Sequence, residues 1–121
     1  MTPAASPCTS VSGSYAISAT KTRDDGCNFS ASFAGTVEMG CSPSNELTIR
    51  MIERQTRVYA GTVQPTGAFQ AAGTGDLGGF AYNGQVSGQV SGASIQGTET
   101  LNFTTGCPGR TVIYEFTGSR R

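Results

Sequence analysis

Polar and apolar residues alternate along most of this 121-residue chain. That period of two constrains the fold more than any other feature, because only extended backbone repeats its environment at every second residue. Val11, Gly13, Tyr15, Ile17 and Ala19 fall on one face of an extended segment, and Ser12, Ser14, Ala16, Ser18 and Thr20 on the other. Phe29, Ala31, Phe33, Gly35, Val37 and Met39 form a second apolar row, opposite Ser30, Ser32, Thr36 and Glu38. Leu47, Ile49 and Met51 make a third, against Thr48 and Arg50. Further strands are expected at 57–63, 68–75, 80–90, 94–104 and 111–117, which brings the count to about eight.

The separators are short and carry turn chemistry: Arg23 to Gly26, Ser42 to Asn45, Arg54 to Thr56, Gln64 to Gly67, Asp76 to Gly79, Ser91 to Ala93 and Thr105 to Gly109. Short loops join antiparallel neighbours, so the fold class is all-β, a single antiparallel meander. A meander with one apolar and one Ser/Thr/Gln-rich face has two edges to hide, and closing it into a small up-and-down β-barrel removes both. Domain organisation follows as an extended N-terminal arm over 1–10, a barrel over 11–118 and a short tail over 119–121.

Glycine spacing supports closure. Gly84, Gly88 and Gly92 are four apart and share the apolar face with Val86 and Val90. Alternating small and medium residues let a strand bend and let larger side chains cross the lumen. Asn83-Gly84 is also a favoured hairpin dipeptide, and a turn there would change the strand count. The alternation running through it favours a continuous strand.

The parity of the meander sorts the four cysteines. Cys27 and Cys107 fall at the upper end of the barrel, Cys8 and Cys41 at the lower end. A disulfide needs Cα atoms within about 7 Å, so this layout selects Cys8–Cys41 and Cys27–Cys107; a different strand count would reverse the choice. Two disulfides in a small chain point to an oxidising compartment, hence a secreted or periplasmic protein released from a signal peptide.

Composition excludes several functions. The chain is 13% charged with Lys+Arg equal to Asp+Glu at 8 each, so it lacks the basic footprint of a nucleic-acid binder. No apolar run reaches helical membrane-spanning length, and no basic amphipathic segment would lie on a bilayer, so no membrane insertion is expected. Without His the commonest general base and metal ligand are both missing. No metal site and no cofactor are called for.

Chemistry concentrates in two places. Lys21, Arg23, Asp24, Asp25, Glu53, Arg54, Arg57, Asp76 and Arg110 map to the upper end, where a rim of mixed charge could orient a polar ligand group. Glu99 lies mid-strand on the face of Ile95, Leu101 and Phe103, so alternation points its carboxylate into the barrel. There it could anchor a ligand or act as a general acid or base, with Tyr15, Tyr82 and Tyr114 as inward neighbours. A bulge at Gly97 would instead turn it outward. Asn28-Phe29-Ser30 and Asn102-Phe103-Thr104 match the glycosylation triplet, but both lie in or beside strands.

Over Val11 to Gly118 the strand pattern resembles the calycin architecture of lipocalins and avidins. The lipocalin Gly-x-Trp near the first strand is met only by Gly13 and Tyr15, and the Trp residues that line avidin pockets are absent. Small secreted protease-inhibitor barrels look similar at this length. The resemblance implies an up-and-down barrel and carries over no binding residue. Three functions are therefore open. The first is an exported module holding a small or apolar ligand in the lumen or at the mouth, through Glu99, Tyr15, Tyr82, Tyr114, Arg54, Arg57 and Arg110. The second is a protein–protein module, an enzyme inhibitor or surface-assembly subunit, working through its arm or upper loops. The third is a cofactor-free cyclase or isomerase using Glu99 and a Tyr.

Overall fold

The computed structural model describes residues 8, 11–24, 26–27, 29–42, 46–53, 55–107 and 109–121. Asp25, Asn28, Arg54 and most of the N-terminal arm lie outside the described residues. Eight strands follow in order: β1 (Gly13–Asp24), β2 (Ser32–Cys41), β3 (Leu47–Ile52), β4 (Thr56–Val63), β5 (Ala68–Asp76), β6 (Ala81–Ser91), β7 (Ser94–Phe103) and β8 (Thr111–Arg120). Each pairs antiparallel with the next, and β8 returns to β1, so the sheet is a closed barrel.

Boundaries shift where local chemistry competes with alternation. β1 begins at Gly13, and Val11 before it is helical and buried, with its carbonyl accepting the Tyr15 hydroxyl at 2.6 Å. β2 begins at Ser32, because Phe29 and Ser30 are drawn into a loop described below. β6 runs unbroken through Asn83 and Gly84, which pair with Asn102 and Leu101 of β7. The strand count therefore stands. Gly92 is a correction to the inward glycine row: it has φ of 61° and turns the chain between β6 and β7. That left-handed conformation is the one glycine adopts without strain.

The lumen is filled as an eight-stranded barrel allows, with room for side chains and little else. Tyr15, Val37, Leu47, Ile49, Met51, Val112 and Phe116 are all buried in its interior. Gly88 and Gly97 face each other across β6 and β7, flanked by Phe69 on β5 and Phe116 on β8. A Cβ on Gly97 would stand 2.6 Å from the Phe116 ring, and one on Gly88 would stand 2.9 Å from the Phe69 ring. The same relation recurs higher up, where Gly84 gives its space to the Tyr59 ring. Glycines on the inner wall thus make room for aromatic rings that lie over them.

The outward face is polar. Val58, 47% exposed, is the one exposed large hydrophobic among the described residues. Cys8–Cys41 closes the lower end and Cys27–Cys107 the upper, with Cα–Cα distances of 5.7 and 5.8 Å. The second joins the β1–β2 loop to the β7–β8 loop and so ties the first hairpin to the last.

Gly88→Ala should be costly, since its Cβ would lie 2.1 Å from the Gln96 carbonyl oxygen. A loss of about 1–3 kcal/mol is expected, the usual penalty of overpacking. Gly40→Ala, whose Cβ would meet nothing within 4 Å, should change stability by less than about 0.5 kcal/mol. Urea unfolding of the two variants checks the contrast.

Candidate functional site

Glu99 points inward. The β7 register with β6 is continuous through Gly97, so there is no bulge to turn it out, and the side chain is 0% exposed. A buried carboxylate needs partners for both oxygens. Arg57 supplies most of them: its Nε donates to Glu99 Oε2 at 2.5 Å and its Nη2 to Oε1 at 2.8 Å. The Tyr59 hydroxyl also donates to Oε2. Arg57 and Tyr59 are alternate residues of β4, so one strand reaches the carboxylate with two inward side chains.

Arg57 is therefore not a rim residue, as its place near the upper loops suggests. Thr56 and Val58 face out, Arg57 and Tyr59 face in, and Arg57 is 4% exposed. Burial works against its charge, but the hydrogen bonds and field of Glu99 outweigh burial and hold its pKa above the usual value. Tyr59 is the residue that sequence reasoning passed over. The signal was available in the alternation Arg57, Tyr59, Gly61, Val63, had β4 been divided into faces.

The other tyrosines divide. Tyr82 and Tyr114 sit in the upper half of the barrel near this pair. Burial raises both of their pKa values against the opposing field of Arg57, Tyr114 to about 12. Tyr114 also donates its hydroxyl to the Ser30 carbonyl at 2.6 Å. Tyr15 belongs to the other end. It pairs with Arg120, six positions along β1 from Lys21, the partner of Tyr114, or about 20 Å at strand rise. Its ring lies under the Arg120 guanidinium at 5.1 Å. Arg110 is exposed at the upper end, and Arg54 lies outside the described residues.

Above the ion pair the barrel opens into a cup of about 200 Å³. Phe29, Phe33, Leu77, Phe80, Leu101 and Tyr114 form its apolar wall, and Ser30, Glu53, Gln55 and Arg57 its polar positions. Glu99 does not line it, lying one inward position deeper than Leu101 on β7. Phe29 stacks on Phe103 at 5.0 Å and meets Phe80 edge-on at 5.5 Å. The Arg57 Cζ stands 5.5 Å from the Phe33 ring centre. A larger depression of about 440 Å³ lies on the outer wall, where Ser87, Gln89, Gln96, Thr98, Glu115 and Thr117 surround Gly88, Gly97 and Phe116, and it is open to solvent. It offers no apolar enclosure.

One carboxylate holds the loop that carries Phe29 to the mouth. Asp24 accepts hydrogen bonds from the backbone N–H groups of Gly26, Cys27 and Phe29 at 2.9, 2.6 and 3.1 Å. Lys21 bridges Asp24 Oδ2 at 2.7 Å and the Phe29 carbonyl at 2.6 Å. The Lys21 hydrogen bond, more than the three backbone donors, lowers the Asp24 pKa to about 2.

Comparison with known proteins supports the fold alone. No family model matches the chain, and no curated protein matches it. Among solved structures, one resembling it is described as a "putative outer membrane protein" from Bacteroides fragilis. The TM-score is 0.58 at 15% identity, over 95% of this chain and 53% of the other. This chain thus spans about half the length of that protein. The match shows a shared barrel architecture.

Glu99→Ala should cost about 3–5 kcal/mol, because it leaves Arg57 buried and unpaired, whereas Arg57→Met with Glu99→Leu should recover most of that loss. A double-mutant cycle by chemical unfolding measures both. Asp24 is depressed in the folded state, so the stability it contributes is present above its unfolded value near 3.8 and is lost as pH falls through about 2. The amide resonances of Gly26, Cys27 and Phe29 should then titrate together with a midpoint of about 2 rather than at the ordinary Asp value.

Proposed function

We propose that the protein is an exported, calycin-like barrel that binds a small, largely apolar ligand at its mouth. The observation that carries this reading is the cup: an aromatic and aliphatic wall, open above, with one guanidinium among its lining groups. Convergent apolar walls with few polar groups are the usual form of a small-ligand site. The volume sets the scale, since an engineered cavity of about 150 Å³ holds benzene. The ligand portion taken up is therefore about one ring or a short branched chain. The filled lower lumen directs the ligand to the mouth rather than to the barrel interior.

Two further observations shape this reading. Two disulfides fit a non-cytosolic location, and secretion or the periplasm is the setting we infer. The polar outer wall, with Thr, Ser and Gln where a lipid-facing barrel carries an apolar band, favours a barrel standing in water rather than crossing a bilayer. Catalysis by Glu99 is the weaker reading. Both of its oxygens are occupied by Arg57 and Tyr59, and it does not border the cup. A partner strand joining the barrel's own sheet is disfavoured, because the closed sheet leaves no terminal edge; the arm, through which a protein–protein module would work, lies almost wholly outside the described residues.

Native mass spectrometry of the protein from its own host should show extra mass that disappears on denaturation. In vitro, a single-ring compound such as benzyl alcohol should shift the resonances of Phe29, Phe33 and Phe80 selectively. Phe33→Ser should weaken that binding by about tenfold, equivalent to 1.4 kcal/mol. Shifts confined to the outer wall, or no saturable shifts with any small apolar compound, would remove the support for a mouth site.

A further inference from the structure

Taking the mouth as the ligand site, we propose that it selects a neutral hydrogen-bond acceptor, such as an amide, ester or ketone carbonyl on a single ring or short apolar chain, and discriminates against the corresponding carboxylate. The selectivity comes from how Arg57 is already used. A guanidinium has five N–H donors over three nitrogens. Nε and Nη2 are committed to Glu99. Nη1 makes no hydrogen bond among the described residues. No buried side-chain nitrogen or oxygen there lacks a partner, so Nη1 must reach accessible space. Arg57 borders the cup, and the cup is where that donor is offered.

The donor is offered without spare charge. Arg57 and Glu99 form a closed ion pair whose net charge is zero. A carboxylate bound at Nη1 would place a second anion on the same guanidinium, with Glu99 already on its other side. In a desolvated site, two anions sharing one cation repel, and the incoming one forfeits its hydration as well. The Lys21 ammonium cannot compensate, being held by Asp24 and the Phe29 carbonyl. Arg23 and Arg110 are exposed and do not line the cup, so solvent and salt screen them. A carbonyl oxygen accepts the same hydrogen bond and brings no charge to be desolvated. The Phe33 ring beside Arg57 is placed to cover the ligand's apolar part.

The test compares two probes of the same shape, phenylacetamide and phenylacetate, by NMR titration at pH 7. The Arg57 Nε–H and the amides of Phe29 and Phe33 report occupancy. In the wild-type protein, phenylacetamide should bind at least about tenfold more tightly. In Glu99→Gln, which keeps an acceptor beside Arg57 but leaves its charge unbalanced, the order should reverse. Phenylacetate binding as well as or better than the amide in the wild type would overturn the inference while leaving the mouth site in place. An unchanged preference in Glu99→Gln would overturn it too, because the selectivity would not then come from Glu99. If neither probe shifts the mouth resonances, the inference and the mouth reading fall together. The wild-type ratio decides the matter whether or not Glu99→Gln folds.

Discussion

The ion pair between Arg57 and Glu99 joins β4 to β7 across the barrel, and the upper half of the molecule is organised around it. A carboxylate at a fully buried position would be intolerable alone. The guanidinium and the Tyr59 hydroxyl satisfy it, and in doing so they set the positions of two large side chains from one strand. The pair lies beneath the apolar cup. It divides a filled lower lumen from an open upper cup. Such a pair gives little net stability over a well-packed apolar alternative. Its contribution here is to fix the orientation of two large β4 side chains beneath the cup.

Glycine on the inner wall is the second half of the same geometry. An eight-stranded barrel has a narrow interior. Tyr59 can lie toward β6 because Gly84 has no side chain, and Phe69 and Phe116 fold over the paired Gly88 and Gly97. The aromatic rings replace the missing Cβ surface, so the wall can bend without leaving voids. Bending and filling are one arrangement, which is why the glycines sit beside aromatic residues on neighbouring strands.

The mouth is shaped by loops, and those loops are held by polar contacts. Asp24 gathers three backbone N–H groups and the Lys21 ammonium, Tyr114 takes the Ser30 carbonyl, and Cys27–Cys107 ties the two flanking loops together. Phe29 is carried over the cup by this framework rather than by a strand. That explains why alternation extended β2 too far: Phe29 and Ala31 keep the apolar period but not the ladder.

Alternation along the chain determined that the protein is a meander and which residues face inward on most of its strands; hiding the two edges called for closure, and the parity of short loops showed which cysteines meet. These are local properties or simple consequences of strand order, so they can be read from neighbours in sequence. It also turned Glu99 inward and placed Tyr82 and Tyr114 near it. Only the tertiary structure decided that Arg57 meets Glu99, 42 residues away, that Tyr59 joins them, and that Tyr15 belongs to the opposite end. Which inward side chains touch across a lumen depends on strand tilt and register accumulated around the whole barrel. No single strand carries that information, so the chemistry of the mouth emerges only when all eight close.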